Sequence, residues 1–280
     1  MNNISFEFFP PNTPEGDVKL RAVTQELMSL QPKYFSVTYG AGGSTREKTI
    51  ATVNAVKALG NDVAPHLSCV GATKASVAEL LDVYRKDGIK RIVALGGDVP
   101  SGMVASGDFR YATDLIKFIR EETGEHFALN VAAYPEVHPR ASTAKADLAA
   151  LKLKQDLGAT VAVTQFFFNA DAYFSFMDAA CKAGVTIPIV VGVMPLHSYS
   201  KVARFAEMCG AEMPRWLNKR MADFGDDADA VRAYGLDVIT DLCQRLMAGG
   251  AAGIHFYTMN QAALTKEIVM RLRSSDKKSA

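Results

Sequence analysis

Apolar residues recur along this chain with two periods, and the two take turns. The opening run Ile4-Ser5-Phe6-Glu7-Phe8-Phe9 is β-branched or aromatic almost throughout and stops at Pro10-Pro11, which predicts a strand. Alternate side chains of a strand share a face, so Ile4, Phe6 and Phe8 point one way and Ser5, Glu7 and Phe9 the other. Thr13-Pro14-Glu15 predicts a helix start, with a capping threonine and a proline in the first turn. Leu20, Val23, Leu27 and Leu30 follow at helical spacing, and Pro32 ends the run.

The same unit then repeats. Strands are predicted at Tyr34–Tyr39, Val63–Cys69, Arg91–Leu95, Phe127–Tyr134, Thr160–Phe168, Ile187–Met194 and Gly253–Thr258. Helices alternate with them. One opens with the capping box Ser44-Thr45-Arg46-Glu47, and others are predicted at Ser76–Lys86, Tyr111–Glu122, Thr143–Leu157, Tyr173–Ala183, Ser200–Met208 and Gln261–Arg273. A less regular insert precedes the last strand: a short helix Pro214–Met221, a turn at Gly225-Asp226-Asp227 and a longer helix Val231–Met247.

Strands alternating with helices imply parallel strands joined by crossover helices, and about eight such units fill a closed barrel. An open doubly wound sheet would show a glycine fingerprint at its first strand-to-helix turn. This chain has Pro10-Pro11-Asn12-Thr13 there. The prediction is therefore an α/β fold, a (β/α)8 TIM barrel forming a single domain over residues 1–275, with 276–280 as a polar tail.

Composition narrows the partners. The 280 residues are 49% hydrophobic and carry a formal net charge of +1, enough for a large core and without the field that favours nucleic acid or an anionic membrane. The longest apolar run, Ile187 to Leu196, contains two prolines and is too short to span a bilayer. No basic segment leads an apolar stretch at the N-terminus, so a cytoplasmic location is expected. Cys69, Cys181, Cys209 and Cys243 lie far apart without CxxC spacing, which suits buried reduced thiols and suggests no disulfide framework or metal site. Exposed helix faces suit a homo-oligomer.

In a barrel the functional groups stand at the carboxyl ends of the strands. Those positions hold Glu7, Thr38, His66, Asp98, Tyr134 with Glu136 and His138, Gln165, Met194, and His255 with Tyr257. Singly, each has an ordinary structural role as a hydrogen-bonded core histidine or a strand-end cap. Together, at one rim, they predict a functional pocket.

Seven blocks carry a family resemblance: Ser5-Phe6-Glu7-Phe8-Phe9-Pro10-Pro11, Ser36-Val37-Thr38-Tyr39-Gly40-Ala41, Pro65-His66-Leu67, Gly97-Asp98-Val99-Pro100, Ala133-Tyr134-Pro135-Glu136-Val137-His138-Pro139, Thr164-Gln165-Phe166-Phe167-Phe168 and His255-Phe256-Tyr257-Thr258. In this order they resemble methylenetetrahydrofolate reductases, and since the chain ends with the barrel it resembles the short bacterial type. The resemblance implies an FAD barrel of one-carbon metabolism that takes hydride from NADH or NADPH and reduces 5,10-methylenetetrahydrofolate to 5-methyltetrahydrofolate. It makes Glu7 the general acid that opens the folate's five-membered ring to an iminium. The aromatic neighbours of Glu7 suit a carboxyl whose pKa is raised by a dry setting. Asp98 would sit near the flavin and the pterin, stabilise the cation and tune the flavin; Gln165 would orient the pterin, Tyr199 would stack on folate or nicotinamide, and Gln261 would face the folate. Flavin or nucleotide contacts would come from Thr38, Tyr39, Ala41, His66, Gly97, Asp98, Ala112, Tyr134, His138, Ala141, Asp147 and Lys154.

The chain also departs from the family. Gly96 stands where better-known members have an arginine, Ala150 and Leu153 replace polar or basic residues near the adenine nucleotide, and Gln261 replaces an arginine. Loss of a guanidinium removes bidentate phosphate recognition. Looser FAD retention is expected, with Lys154 carrying more of the phosphate charge. Competing functions are a flavin barrel that oxidises proline or a related imine, and a flavin- or folate-binding protein without turnover. A Schiff-base aldolase is disfavoured because no strand top offers a lysine.

Overall fold

The computed structural model describes residues 3–40, 45–97, 107–225 and 227–279. Two of the expected site residues, Ala41 and Asp98, lie outside the described residues. The strands are β1 (Ile4–Phe8), β2 (Tyr34–Val37), β3 (Val63–Ser68), β4 (Arg91–Leu95), β5 (Ala128–Ala133), β6 (Val161–Thr164), β7 (Ile189–Val193) and β8 (Ile254–Tyr257). They pair in parallel in chain order, and β8 closes on β1, with Ser5 opposite His255 and Glu7 opposite Tyr257. The (β/α)8 barrel expected from the sequence is the architecture observed.

Six helices cross between strands: α1 (Pro14–Met28), α2 (Arg46–Lys57), α3 (Lys74–Lys86), α4 (Ala112–Thr123), α5 (Ala144–Asp156) and α6 (Ala170–Lys182). Their starts follow local chemistry. Thr13, Thr45, Thr73 and Thr143 each accept a backbone N–H from the first turn. The second helix is capped by Thr45, Ser44 of the expected box lies outside the described residues, and a reciprocal box occurs at Thr73 and Ser76. After β7 come α7 (Tyr199–Cys209), α8 (Arg215–Phe224) and α9 (Ala228–Ala248), and after β8 comes α10 (Ala263–Ser279), which continues past the Arg273 end expected from its pattern. Among the described residues no helix is long and apolar enough to cross a membrane.

Alternation along the strands separates two interiors. Ile4, Phe6, Phe8, Phe35, Val37, Ile92, Leu129, Val131, Val191 and Phe256 face the helices in the large core. The rings of Phe6 and Phe8 lie 5.7 and 5.1 Å from that of Phe35. Inside the barrel Tyr34, Ala64 and Val93 make a separate small apolar cluster. The remaining inward positions include Ser5, Ser36, His66, Asn130 and His255, all buried and polar. Such groups need partners, and their hydrogen bonds organise the site.

The insert roofs one side of the mouth. The far end of α7 packs on the β5–α5 loop, where Glu212 N donates to Glu136 Oε2 at 2.8 Å and a side chain at Gly210 would collide with Pro139. α9 then descends along the barrel, and Gly235 lets it approach Leu196, to which an added Cβ would come within 2.7 Å.

Candidate active site

Glu7 points into the barrel near its carboxyl-terminal mouth, with its side chain 18% exposed. Its Oε2 lies 3.3 Å from His66 Nε2 on β3 and 3.5 Å from His255 Nε2 on β8, and Ser36 Oγ donates to it at 3.4 Å. Burial raises the carboxyl pKa, but hydrogen bonding to His255 and the charge of His66, with the converse pair, outweigh it and bring the value down to about 2. The raised pKa expected from aromatic neighbours is therefore corrected. Phe6 and Phe8 face outward, and what Glu7 meets inside the barrel is imidazole.

His255 is fixed from below. Its Nδ1 lies 2.7 Å from Ser5 Oγ, and its ring stacks at 6.0 Å on Tyr34 and meets Tyr257 edge-on at 5.4 Å. Asn130 Nδ2 donates to the Tyr34 hydroxyl at 3.0 Å, and Arg91 lies 4.8 Å over the Tyr34 ring while donating to Asn130 Oδ1 at 3.3 Å. A polar column thus runs from Glu7 down the barrel axis to a guanidinium at the other end. Ser5 and Ser36 were not among the expected site residues, and His255 was expected at the rim without an assigned role. Their signal was parity: Ser5 shares the inward face of Glu7, and His255 pairs in register with Ser5.

A second group gathers over the ends of β4 and β5. Tyr134 and His138 meet edge-on at 4.3 Å, His138 N donates to Asp147 Oδ2 at 2.9 Å, and Ala141 N donates to His138 O at 2.8 Å. Gly97 has φ +76 and its missing side chain admits Ser68 and Val70, the latter 2.9 Å from where a Cβ would be. Ala112 is the first residue of α4 and is buried. Thr38, half-buried after β2 beside Tyr39, takes the Thr49 hydroxyl on its carbonyl at 3.2 Å and leaves its own buried Oγ1 without a hydrogen-bond partner.

Other expected residues lie elsewhere. Lys154 is turned inward: Nζ donates to Ala132 O at 2.9 Å, and burial lowers its pKa. In that position one of its three N–H donors is spent on the β5 backbone. Gln165 Oε1 accepts from Phe166 N at 3.0 Å, and the residue lines a small cavity with Tyr134, Glu136 and Phe166. Tyr199 opens α7 and donates its hydroxyl to Asn218 Oδ1 on α8 at 3.0 Å. Gln261 is exposed, and its backbone N–H donates to Thr258 O at 3.0 Å. On the β7–α7 loop His197 is held neutral, its pKa lowered to about 4 by burial and then by the charges of Arg232 and Lys201. Nothing in the local sequence pattern marked it.

A buried acid–imidazole pair at the mouth of a barrel, with glycines and orphaned polar atoms around it, suits proton transfer to a planar ligand. The model of the family described as methylenetetrahydrofolate reductase matches residues 1–273. The 5,10-methylenetetrahydrofolate reductase of Escherichia coli K12 is 39% identical over 267 residues, covering 95% of this chain and 89% of that protein. Methylenetetrahydrofolate reductase (NADH) 1 of Arabidopsis thaliana is 34% identical over 282 residues, covering 96% of this chain and 48% of that one. Among solved structures, an uncharacterised Clostridium thermocellum protein that binds two copies of 5-methyl-5,6,7,8-tetrahydrofolic acid superposes with a TM-score of 0.70 at 16% identity, covering 99% of this chain and 96% of that one.

Proposed function

Because the chain belongs to the methylenetetrahydrofolate reductase family, we propose that it reduces 5,10-methylenetetrahydrofolate to 5-methyltetrahydrofolate, with FAD as resident cofactor and NADH or NADPH as electron donor. The observation that carries this reading is the Glu7 carboxylate held between His66 and His255 at the carboxyl-terminal mouth. Opening the substrate's five-membered ring requires a proton on the departing nitrogen, and an acid positioned within the pocket supplies it.

The residues present fit a flavin. Thr38 Oγ1 is buried without a hydrogen-bond partner, as expected of a group that awaits a polar ligand. Gly96 leaves space over the end of β4, where an added Cβ would meet nothing closer than 3.7 Å, which allows a ligand to approach the backbone. Thr38, Tyr39, Ala41, His66, Gly97, Asp98, Ala112, Tyr134, His138, Ala141 and Asp147 would hold the cofactor. The bound flavin supplies hydride storage between the two half-reactions.

The chain's own residues manage the proton and the pose. With a carboxyl pKa of about 2, Glu7 at neutral pH is a carboxylate, and the acid is the pair it forms with imidazole rather than Glu7 alone. A proton held on the Glu7–imidazole pair passes from Oε2 to the substrate nitrogen. Ser5 fixes His255 through Nδ1, so that Nε2 faces the carboxylate. Gln165, its Oε1 already engaged by Phe166 N, has its amide Nε2 to donate to the pterin. Asp98 would stabilise the cationic iminium, Tyr199 would stack on the folate or nicotinamide, and Gln261 would meet the rest of the folate.

The test separates the half-reactions. Glu7→Gln should leave flavin bleaching by NADH or NADPH nearly intact and abolish re-oxidation by methylenetetrahydrofolate; equal loss of both would refute the assigned role. Folate binding without turnover is a second reading, favoured by the ligand of the Clostridium thermocellum barrel. A yellow protein bleached by NADH and restored by methylenetetrahydrofolate excludes it.

A further inference from the structure

The β5–α5 loop delivers a guanidinium to the position that Gly96 leaves empty. A Cβ built on Gly96 would lie 3.7 Å from the Arg140 NH2 and 4.0 Å from the backbone nitrogen of Ala112, the first residue of α4. The same NH2 donates to Gly97 O at 3.2 Å. Arg140 is exposed, and among the described residues no carboxylate lies within ion-pair distance of it. Its loop is pinned on several sides. Arg140 N donates to His138 Nδ1 at 3.0 Å, His138 N is held by Asp147, and Val137 adopts φ +69, a conformation that a β-branched residue takes only when its surroundings impose it.

A guanidinium has five N–H donors in a planar fork, so the one spent on Gly97 O leaves others for an anion. The backbone N–H of Ala112 opens α4 on the same side, while the Asp114 carboxylate of that turn is taken up by Arg110 N and Tyr111 N. Lys154, the other cation expected here, is turned inward onto Ala132 O, with its charge disfavoured by burial. We propose that Arg140 is the phosphate-anchoring residue of the cofactor site, binding a phosphate oxygen of the dinucleotide over Gly96 with the start of α4. This inference rests on the FAD reading above and reverses one expectation from the sequence. A glycine at position 96 does not leave the phosphate unattended, because a guanidinium reaches the same space from the next βα loop.

The test is flavin retention. Protein stripped of flavin is titrated with FAD and with riboflavin, which has no phosphate, at several salt concentrations. Arg140→Ala should weaken FAD binding about ten- to a hundred-fold, the usual range for a lost charge-assisted hydrogen bond, with much less effect on riboflavin. The slope of log affinity against log salt should also fall. Arg140→Lys should recover part of the affinity, and Gly96→Arg in the Arg140→Ala background should recover more, since it restores a guanidinium at that point. Wild-type protein that binds FAD with an affinity and salt slope unchanged by Arg140→Ala overturns the assignment while the FAD reading stands. Equal loss of FAD and riboflavin affinity, with no rescue by Gly96→Arg, also overturns it and leaves Arg140 as a loop brace. Wild-type protein that binds no FAD sinks the reading on which the inference rests.

Discussion

Lowering the pH from about 5 to about 3 should remove a defined part of the protein's stability, and Glu7→Gln should abolish the pH dependence of that part. In the folded protein the Glu7 carboxyl has its pKa lowered from 4.5 to about 2. The unfolded chain therefore binds a proton more readily than the folded one between those values. The stabilisation is fully present above the unfolded value and lost as pH falls through the folded one. The whole difference is on the order of 3 kcal/mol, and the part lost between about pH 5 and about pH 3 is roughly 2 kcal/mol. Urea unfolding of both proteins at a series of pH values measures it. The wild-type advantage over Glu7→Gln should shrink by that amount as the pH is lowered. Parallel loss of stability in the two proteins would refute the reasoning, because it would mean that His66 and His255 do not hold the carboxylate ionised. The acid would then have to be Glu7 itself.

Three further outcomes follow from the geometry. Ser5→Ala removes the 2.7 Å contact that orients His255; it should slow folate reduction about ten-fold and shift its pH profile, with flavin reduction unchanged in stopped-flow traces. Gly192→Ala puts a Cβ into Thr164 O and within 2.7 Å of the Tyr257 ring. It should cost about 3 kcal/mol or more, read as a fall in Tm, and retention of the wild-type Tm would show that this barrel seam is looser than described. Of the four cysteines Cys181 is exposed, whereas Cys69 is buried with its thiol pushed up to about 12 and the buried Cys243 thiol is also raised. Native alkylation followed by peptide mapping should label Cys181 first, and early labelling of Cys243 would contradict that burial. The exposure of Cys181 also corrects the expectation that all four thiols are buried.

Local pattern was enough for the elements. The alternation through Ile4, Phe6 and Phe8, the threonine caps at Thr13 and Thr143, and the glycines closing helices at Gly124, Gly158 and Gly184 act within a few residues of themselves, so periodicity and capping chemistry locate them. Parallel strands in sequence order then put Glu7, His66 and His255 at one end of the barrel, which is why the rim was legible as a set. The family resemblance named further members of that set on the strength of matched blocks.

What the chain by itself did not determine was the electrostatic state of those groups. The Glu7 pKa depends on imidazoles from β3 and β8, and the latter lies at the far end of the chain. An aromatic sequence neighbourhood pointed the other way because Phe6 and Phe8 belong to the opposite face. The directions of Lys154, expected at a phosphate, and of Arg140, given no role from the sequence, were hidden for a similar reason: Lys154 Nζ donates to Ala132 O and Arg140 reaches over Gly96. A long side chain can turn inward to a carbonyl or outward over a glycine, and only packing against α5, β5 and the β5–α5 loop decides which. Side-chain identity and period are properties of the sequence; the charge a group carries, and the partner it meets, are set by what the closed barrel brings within a few ångströms.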